Sequence, residues 1–163
     1  MNNSNNSSKA QLKIPKWLPL VIVIIAMFGF ADASYLSFKD YMGQTPPCSI
    51  LKGCETVTTS SYSRVLGLPV AFLGAVYYFF ILVLSVAYLD RKKEYLIRYA
   101  AYFTWAGLLS SLWFTYLQIF VIKAICLYCL GSALSSSLLF IFGQIILFHL
   151  SQKENAEETH NET

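Results

Sequence analysis

Residues 122–150 read IKAICLYCLGSALSSSLLFIFGQIILFHL, and the fold follows from how that stretch is parsed. From about Ile125 to Leu150 it is apolar enough to cross a bilayer, since a spanning helix needs roughly 20 mostly apolar residues. The stretch before it, Tyr95 to Val121, reads the same way. Only a short link around Lys123 separates the two, so they form a tight antiparallel pair. Cys126 and Cys129 stand where the second of them begins.

Working outward, a second span runs from about Val65 to Leu89, opening with Gly67-Leu68-Pro69, a place where proline's missing N–H is harmless. The charged turn Asp90 to Glu94 joins it to the third span. The first span covers about Trp17 to Phe38. It is too long for a typical signal-peptide core, and Ala31-Asp32-Ala33 is followed by more apolar sequence, so it is expected to be retained. Between spans one and two lies a polar loop, Lys39 to Arg64, broken by Gly43, Pro46, Pro47 and Gly53. Residues 1–16 and 151–163 are expected to be disordered ends flanking a domain at 17–150.

Composition agrees. Of the 163 residues, 56% are hydrophobic and only 13% charged, against about a quarter charged in soluble domains. Mean hydropathy is +0.52. The expected fold class is an all-α membrane protein, a bundle of four transmembrane helices with an extracytoplasmic loop between helices 1 and 2. A net charge of +3 gives no argument for nucleic acid. Lysine and arginine instead report topology. Eight of the twelve (Lys9, Lys13, Lys16, Arg91, Lys92, Lys93, Arg98, Lys153) fall on one side and four (Lys39, Lys52, Arg64, Lys123) on the other. Both termini are therefore expected in the cytoplasm of a cell-membrane protein, with the 39–64 loop outside.

All four cysteines then face outward, where disulfides persist. Cys48 and Cys54 lie in the loop, and Cys126 and Cys129 form a C-x-x-C at a helix start. Residues three apart share a helix face, and a helix N-terminus favours the thiolate, the nucleophile of disulfide exchange. The C-x-x-C could equally be inert or palmitoylated, Cys48 with Cys54 could be one structural disulfide, and four cysteines could bind a metal. Against a metal, the nearest histidines, His149 and His160, lie at the wrong end. Asp32 sits inside the first span, where a carboxylate is functional by default. Trp105 and Trp113 could line a pocket or simply pack, and Lys52 and Arg64 could tune a thiol.

From about Phe28 to Phe148 the chain resembles the vitamin K epoxide reductase family, in particular its bacterial and archaeal members. The likeness rests on Gly29, Asp32-Ala33-Ser34-Tyr35-Leu36, Cys48, Cys54-Glu55-Thr56-Val57 with Ser60, Gly67-Leu68-Pro69-Val70, Gly74, Tyr77-Tyr78 and Cys126 through Ala133. It implies a four-helix bundle around a quinone, menaquinone or ubiquinone, faced by Cys129 with Cys126 as its partner. It also implies that Cys48 and Cys54 carry electrons from a thioredoxin-fold (DsbA-like) protein, Cys48 meeting that protein and Cys54 exchanging with Cys126. Ser60 matches the family's loop serine, while Tyr77 and Tyr78 could approach a quinone oxygen. The expected activity is a quinone-dependent protein-disulfide oxidoreductase supporting disulfide formation in secreted proteins. With no thioredoxin-like domain after the last span, the partner is expected to be a separate protein. Where vertebrate members carry a tyrosine this chain has Ala133, which favours plain quinone reduction over epoxide chemistry. A DsbB-like quinone reductase would hold its C-x-x-C in the first outer loop, the reverse of the order here. A non-enzymatic four-helix protein with structural disulfides or bound metal is the remaining alternative.

Overall fold

The protein was analysed as a computed structural model, in which the described residues are 15, 17–44, 54–58, 60–65 and 67–161. Helix α1 spans Trp17–Tyr41. A short helix α2, Cys54–Thr58, and a 3₁₀ turn, Ser61–Ser63, follow. The two-residue strands β1 (Arg64–Val65) and β2 (Leu68–Pro69) pair antiparallel with Arg64 opposite Pro69. Gly67, at φ +84°, takes a turn conformation that side chains resist. Helices α3 (Val70–Arg91), α4 (Glu94–Tyr116) and α5 (Leu127–Asn161) complete the chain. A π-helical stretch, Leu117–Ile122, prolongs α4.

Four of these helices are long and apolar enough to cross a membrane: Trp17–Tyr41, Val70–Arg91, Glu94–Ile122 and Leu127–Asn155. Helices are one of the few ways to satisfy every backbone N–H and C=O inside hydrocarbon, which is why runs of this length and composition adopt them. The chain is thus a multi-pass membrane bundle, as the apolar runs predict.

The second span differs from the sequence expectation in its start. Val65 lies in the hairpin, and Pro69 caps α3 from an extended conformation one residue before the helix. The tail differs too. Its polar composition predicts disorder from residue 151, yet α5 continues to Asn161. Two ion pairs explain the added turns: Glu154 accepts from Arg98 at 2.6 Å, and Lys153 pairs with Glu94, both partners lying on the first turns of α4.

The inner faces mix branched aliphatic residues with small ones that let the helices approach. On α1 the buried positions Leu18, Ile22, Ala26, Gly29, Ala33 and Leu36 recur every three or four residues, while Leu20, Ile24, Met27 and Phe28 are at least half exposed. A water-soluble helix would carry polar groups on that outer face; here it faces lipid. α1 packs chiefly on α3 and α5, and α4 on α5 and α3. Without a hydrophobic force between helices in lipid, close backbone approach supplies the packing energy. Gly29 shows the tolerance, because a Cβ there would overlap the Tyr78 ring. We expect Gly29→Ala to destabilise the bundle by about 1–3 kcal/mol through overpacking, read as a lower melting temperature in detergent.

Candidate active site

The link between α4 and α5 must reverse the chain at the membrane surface without leaving backbone groups bare. The π-helical stretch ends at Lys123, which turns back at φ 54° and donates its N–H to the Gln118 carbonyl. Ala124 N–H reaches the same oxygen at 3.1 Å. The Gln118 side chain, itself buried, then accepts the Cys126 N–H at 3.1 Å. Cys126 O in turn accepts the Leu130 N–H at 3.0 Å, which starts α5. One glutamine therefore fixes both the turn and the first cysteine. Nothing in the spacing of the sequence singles Gln118 out, beyond its being a polar residue near the end of an apolar run.

Cys126 is fully buried and Cys54 is 1% exposed. The two share a compact buried cluster with Val57, against which Ile122, Ala124, Tyr128 and Cys129 pack. Cys54 is disulfide-bonded, whereas Cys126 and Cys129 are free thiols, so neither of them is its partner. Cys48 and Lys52 lie outside the described residues. The fold thus brings one loop cysteine against the C-x-x-C, 72 residues along the chain. The Cys126 thiol is brought down to about 7, first by a hydrogen bond from the Cys129 thiol, against the opposing effect of burial. Backbone N–H groups of Cys129 and Tyr128 at the start of α5 add to the lowering.

Cys129 lies one turn deeper and opens onto a cavity of about 390 Å³ between α1, α3, α4 and α5. Its walls are mainly apolar, with Asp32, Tyr77, Tyr78, Ser132 and Ser136 among the polar exceptions. Tyr78 donates to Ser132 O at 2.7 Å and lies 3.2 Å from Ser132 Oγ, tying α3 to α5 one turn below Cys129. Ser60 both lines the cavity and closes its own turn, its hydroxyl donating to Val57 O at 2.8 Å. Arg64 pairs with Asp40 at 3.5 Å, an exposed contact worth at most about 1 kcal/mol. Trp105 and Trp113 point outward, 47% and 60% exposed, while Phe103 and Phe114 of the same helix line the cavity. Ser132 enters the sequence reading only as part of the Cys126–Ala133 segment, with no role, and Ser136 not at all, although residues three and seven after Cys129 fall on its face of a helix.

Because the Cys129 thiol is the largest influence on Cys126, removing it raises the Cys126 pKa. In Cys129→Ala the thiolate ultraviolet absorbance of Cys126 is expected to titrate nearer the ordinary ~8.5. At pH 7 the thiolate fraction at that sulfur is then expected to fall below that of the unmodified protein.

The sequence matches the vitamin K epoxide reductase family over residues 20–143, a stretch that includes all four cysteines and every cavity residue named above. A comparison with curated proteins gives no match. Since the family match covers most of a chain whose four long apolar helices also suit the bundle, this protein belongs to the vitamin K epoxide reductase family and is a multi-pass membrane oxidoreductase.

Proposed function

We propose that the protein oxidises a separate reduced thioredoxin-fold (DsbA-like) protein at the extracytoplasmic face and passes two electrons through two cysteine pairs to a membrane quinone. The observation that carries this reading is the order of the sulfurs. A disulfide-bonded Cys54 is buried in one cluster with Cys126, and the partner of Cys126 in the C-x-x-C, Cys129, opens onto an apolar cavity. Menaquinone and ubiquinone both have the apolar, planar character that such a cavity accepts.

In this scheme a thiolate of the partner attacks Cys48, breaking the Cys48–Cys54 bond and forming a mixed disulfide. The partner's second thiol resolves it and leaves two loop thiols. Cys54 thiolate next attacks Cys126 of an oxidised C-x-x-C, and Cys48 closes the loop disulfide again. The resulting Cys126–Cys129 dithiol returns to a disulfide as its two electrons and two protons convert quinone to quinol. A Cys126 thiol that ionises near neutral pH suits exchange, both as nucleophile and as leaving group. The protein's contribution is proximity and thiolate tuning, and the quinone supplies the electron-accepting chemistry. Ser60 supports the loop fold, Tyr78 holds α5 in register, and Cys129, Tyr77 and Tyr78 form the quinone-facing wall. The eight-to-four distribution of basic residues supports cytoplasmic termini and outward cysteines.

Cys126→Ser and Cys129→Ala are each expected to abolish quinone-dependent oxidation of a thioredoxin-fold partner in membranes. Full activity in either variant would rule out the relay. In Cys54→Ala the free Cys48 thiolate is expected to attack the disulfide of the oxidised partner, breaking that bond and holding the partner as a mixed disulfide that mass spectrometry identifies. A structural disulfide would give no adduct, and thiol trapping would then find the cysteine states unchanged by added quinone.

A further inference from the structure

Three buried polar atoms on the cavity wall, Asp32 Oδ2, Tyr77 Oη and Ser136 Oγ, have no hydrogen-bond partner among the described residues. Two of them form a pair. A Cβ built on Gly107 would overlap the Tyr77 hydroxyl and come within 2.7 Å of Ser136 Oγ, so both hydroxyls converge over the bare backbone of α4. The two hydroxyls are close enough to influence each other, yet neither makes a well-formed hydrogen bond to the other. The Tyr77 ring is held in place independently, stacked on Phe103 at 5.7 Å and edge-on to Tyr78 at 5.1 Å. Ser136 is 2% exposed. Burying polar groups unsatisfied costs free energy, and most such groups in proteins do have a partner.

Their position relative to Cys129 is informative. Seven residues along an α-helix is two turns, so Ser136 lies on nearly the same face as Cys129 and roughly 10 Å deeper. The electron-donating sulfur and the hydroxyl pair therefore mark two ends of one wall. Ala133, between them on that wall, offers no donor.

We propose that Tyr77 and Ser136 together bind one carbonyl oxygen of a 1,4-quinone, the oxygen remote from Cys129. This rests on the quinone reading above and adds the residues that orient the ring. A carbonyl oxygen has two acceptor sites, and two hydroxyls can fill both. Hydroxyls also suit both redox states, because they donate to the carbonyl of the quinone and accept from the O–H of the quinol. Neither contributes a net proton. Two S–H bonds of Cys126 and Cys129 break, one S–S bond forms, and the two electrons and two protons appear as the two O–H bonds of the quinol.

The test uses the purified full-length protein in micelles, dithiothreitol as donor and 2-methyl-1,4-naphthoquinone as acceptor, comparing Tyr77→Phe and Ser136→Ala with the unmodified protein. Each variant keeps its packing and loses one oxygen. Each is expected to raise KM for the quinone about five- to tenfold and to leave kcat within about twofold. The double variant is expected to fall short of the product of the two effects, because the two hydroxyls share one oxygen. Oxidation of the Cys126–Cys129 dithiol by diamide, which reaches the pair at Cys129 but does not depend on an oriented quinone ring, stays at the unmodified rate. An unmoved KM in an otherwise active enzyme overturns this assignment and leaves the quinone reading intact. A loss of diamide oxidation alongside the raised KM also overturns it, by showing a structural effect. If the unmodified protein reduces no quinone, the reading under Proposed function fails and the assignment fails with it.

Discussion

The hydrogen bond from the Cys126 N–H to the Gln118 side chain is the contact on which the redox end of this bundle depends. A chain that reverses between two membrane helices exposes the first N–H groups of the second helix, and buried ones cost about 1–3 kcal/mol each if left bare. Here the side chain of one residue takes the Cys126 N–H at the start of α5, and its carbonyl takes the Lys123 and Ala124 N–H groups of the link that ends the helix before it. The π-helical widening of Leu117–Ile122 belongs to the same solution, since such bulges recur at functional sites. Cys126 is thereby set at the helix boundary, its sulfur beside Cys54 and the helix N–H groups beneath it.

The lower half of the molecule solves a different problem. Gly29 admits the Tyr78 ring, and Gly107 admits the Tyr77 hydroxyl. The Tyr78 hydroxyl then crosses to Ser132 on α5. Adjacent tyrosines on one helix thus have unlike roles, one locking α3 to α5 and the other leaving its oxygen on the cavity wall. The division arises because successive helical residues point about 100° apart, so Tyr78 is aimed at Ser132 while Tyr77 is aimed at Gly107 and Ser136.

The spans and their order were legible because length and apolar content suffice to define a membrane helix, and the C-x-x-C was legible because its spacing is local. The limits of the fourth helix were not. Composition alone marks 151–155 as polar, but Lys153 and Glu154 are ordered by Glu94 and Arg98, more than fifty residues away. Gln118 was hidden for the same reason: its importance comes from a carbonyl and an amide meeting a turn, with no motif to announce it. Ser132 and Ser136 could have been found by counting helical turns from Cys129. The cavity's choice of Phe103 and Phe114 over Trp105 and Trp113 depends on the rotation of α4, which an apolar run with aromatics all round does not reveal.

The near-complete burial of Cys54 and Cys126 has a consequence for fidelity. Disulfide exchange is promiscuous in water, where any small thiolate can intercept a strained or exposed sulfur. With 1% and 0% of these residues exposed, a soluble thiol meets neither sulfur unless α2 is first lifted from the bundle. The junction between the loop and the helix pair is therefore insulated like the core of a cable, and current leaks at neither of these two contacts.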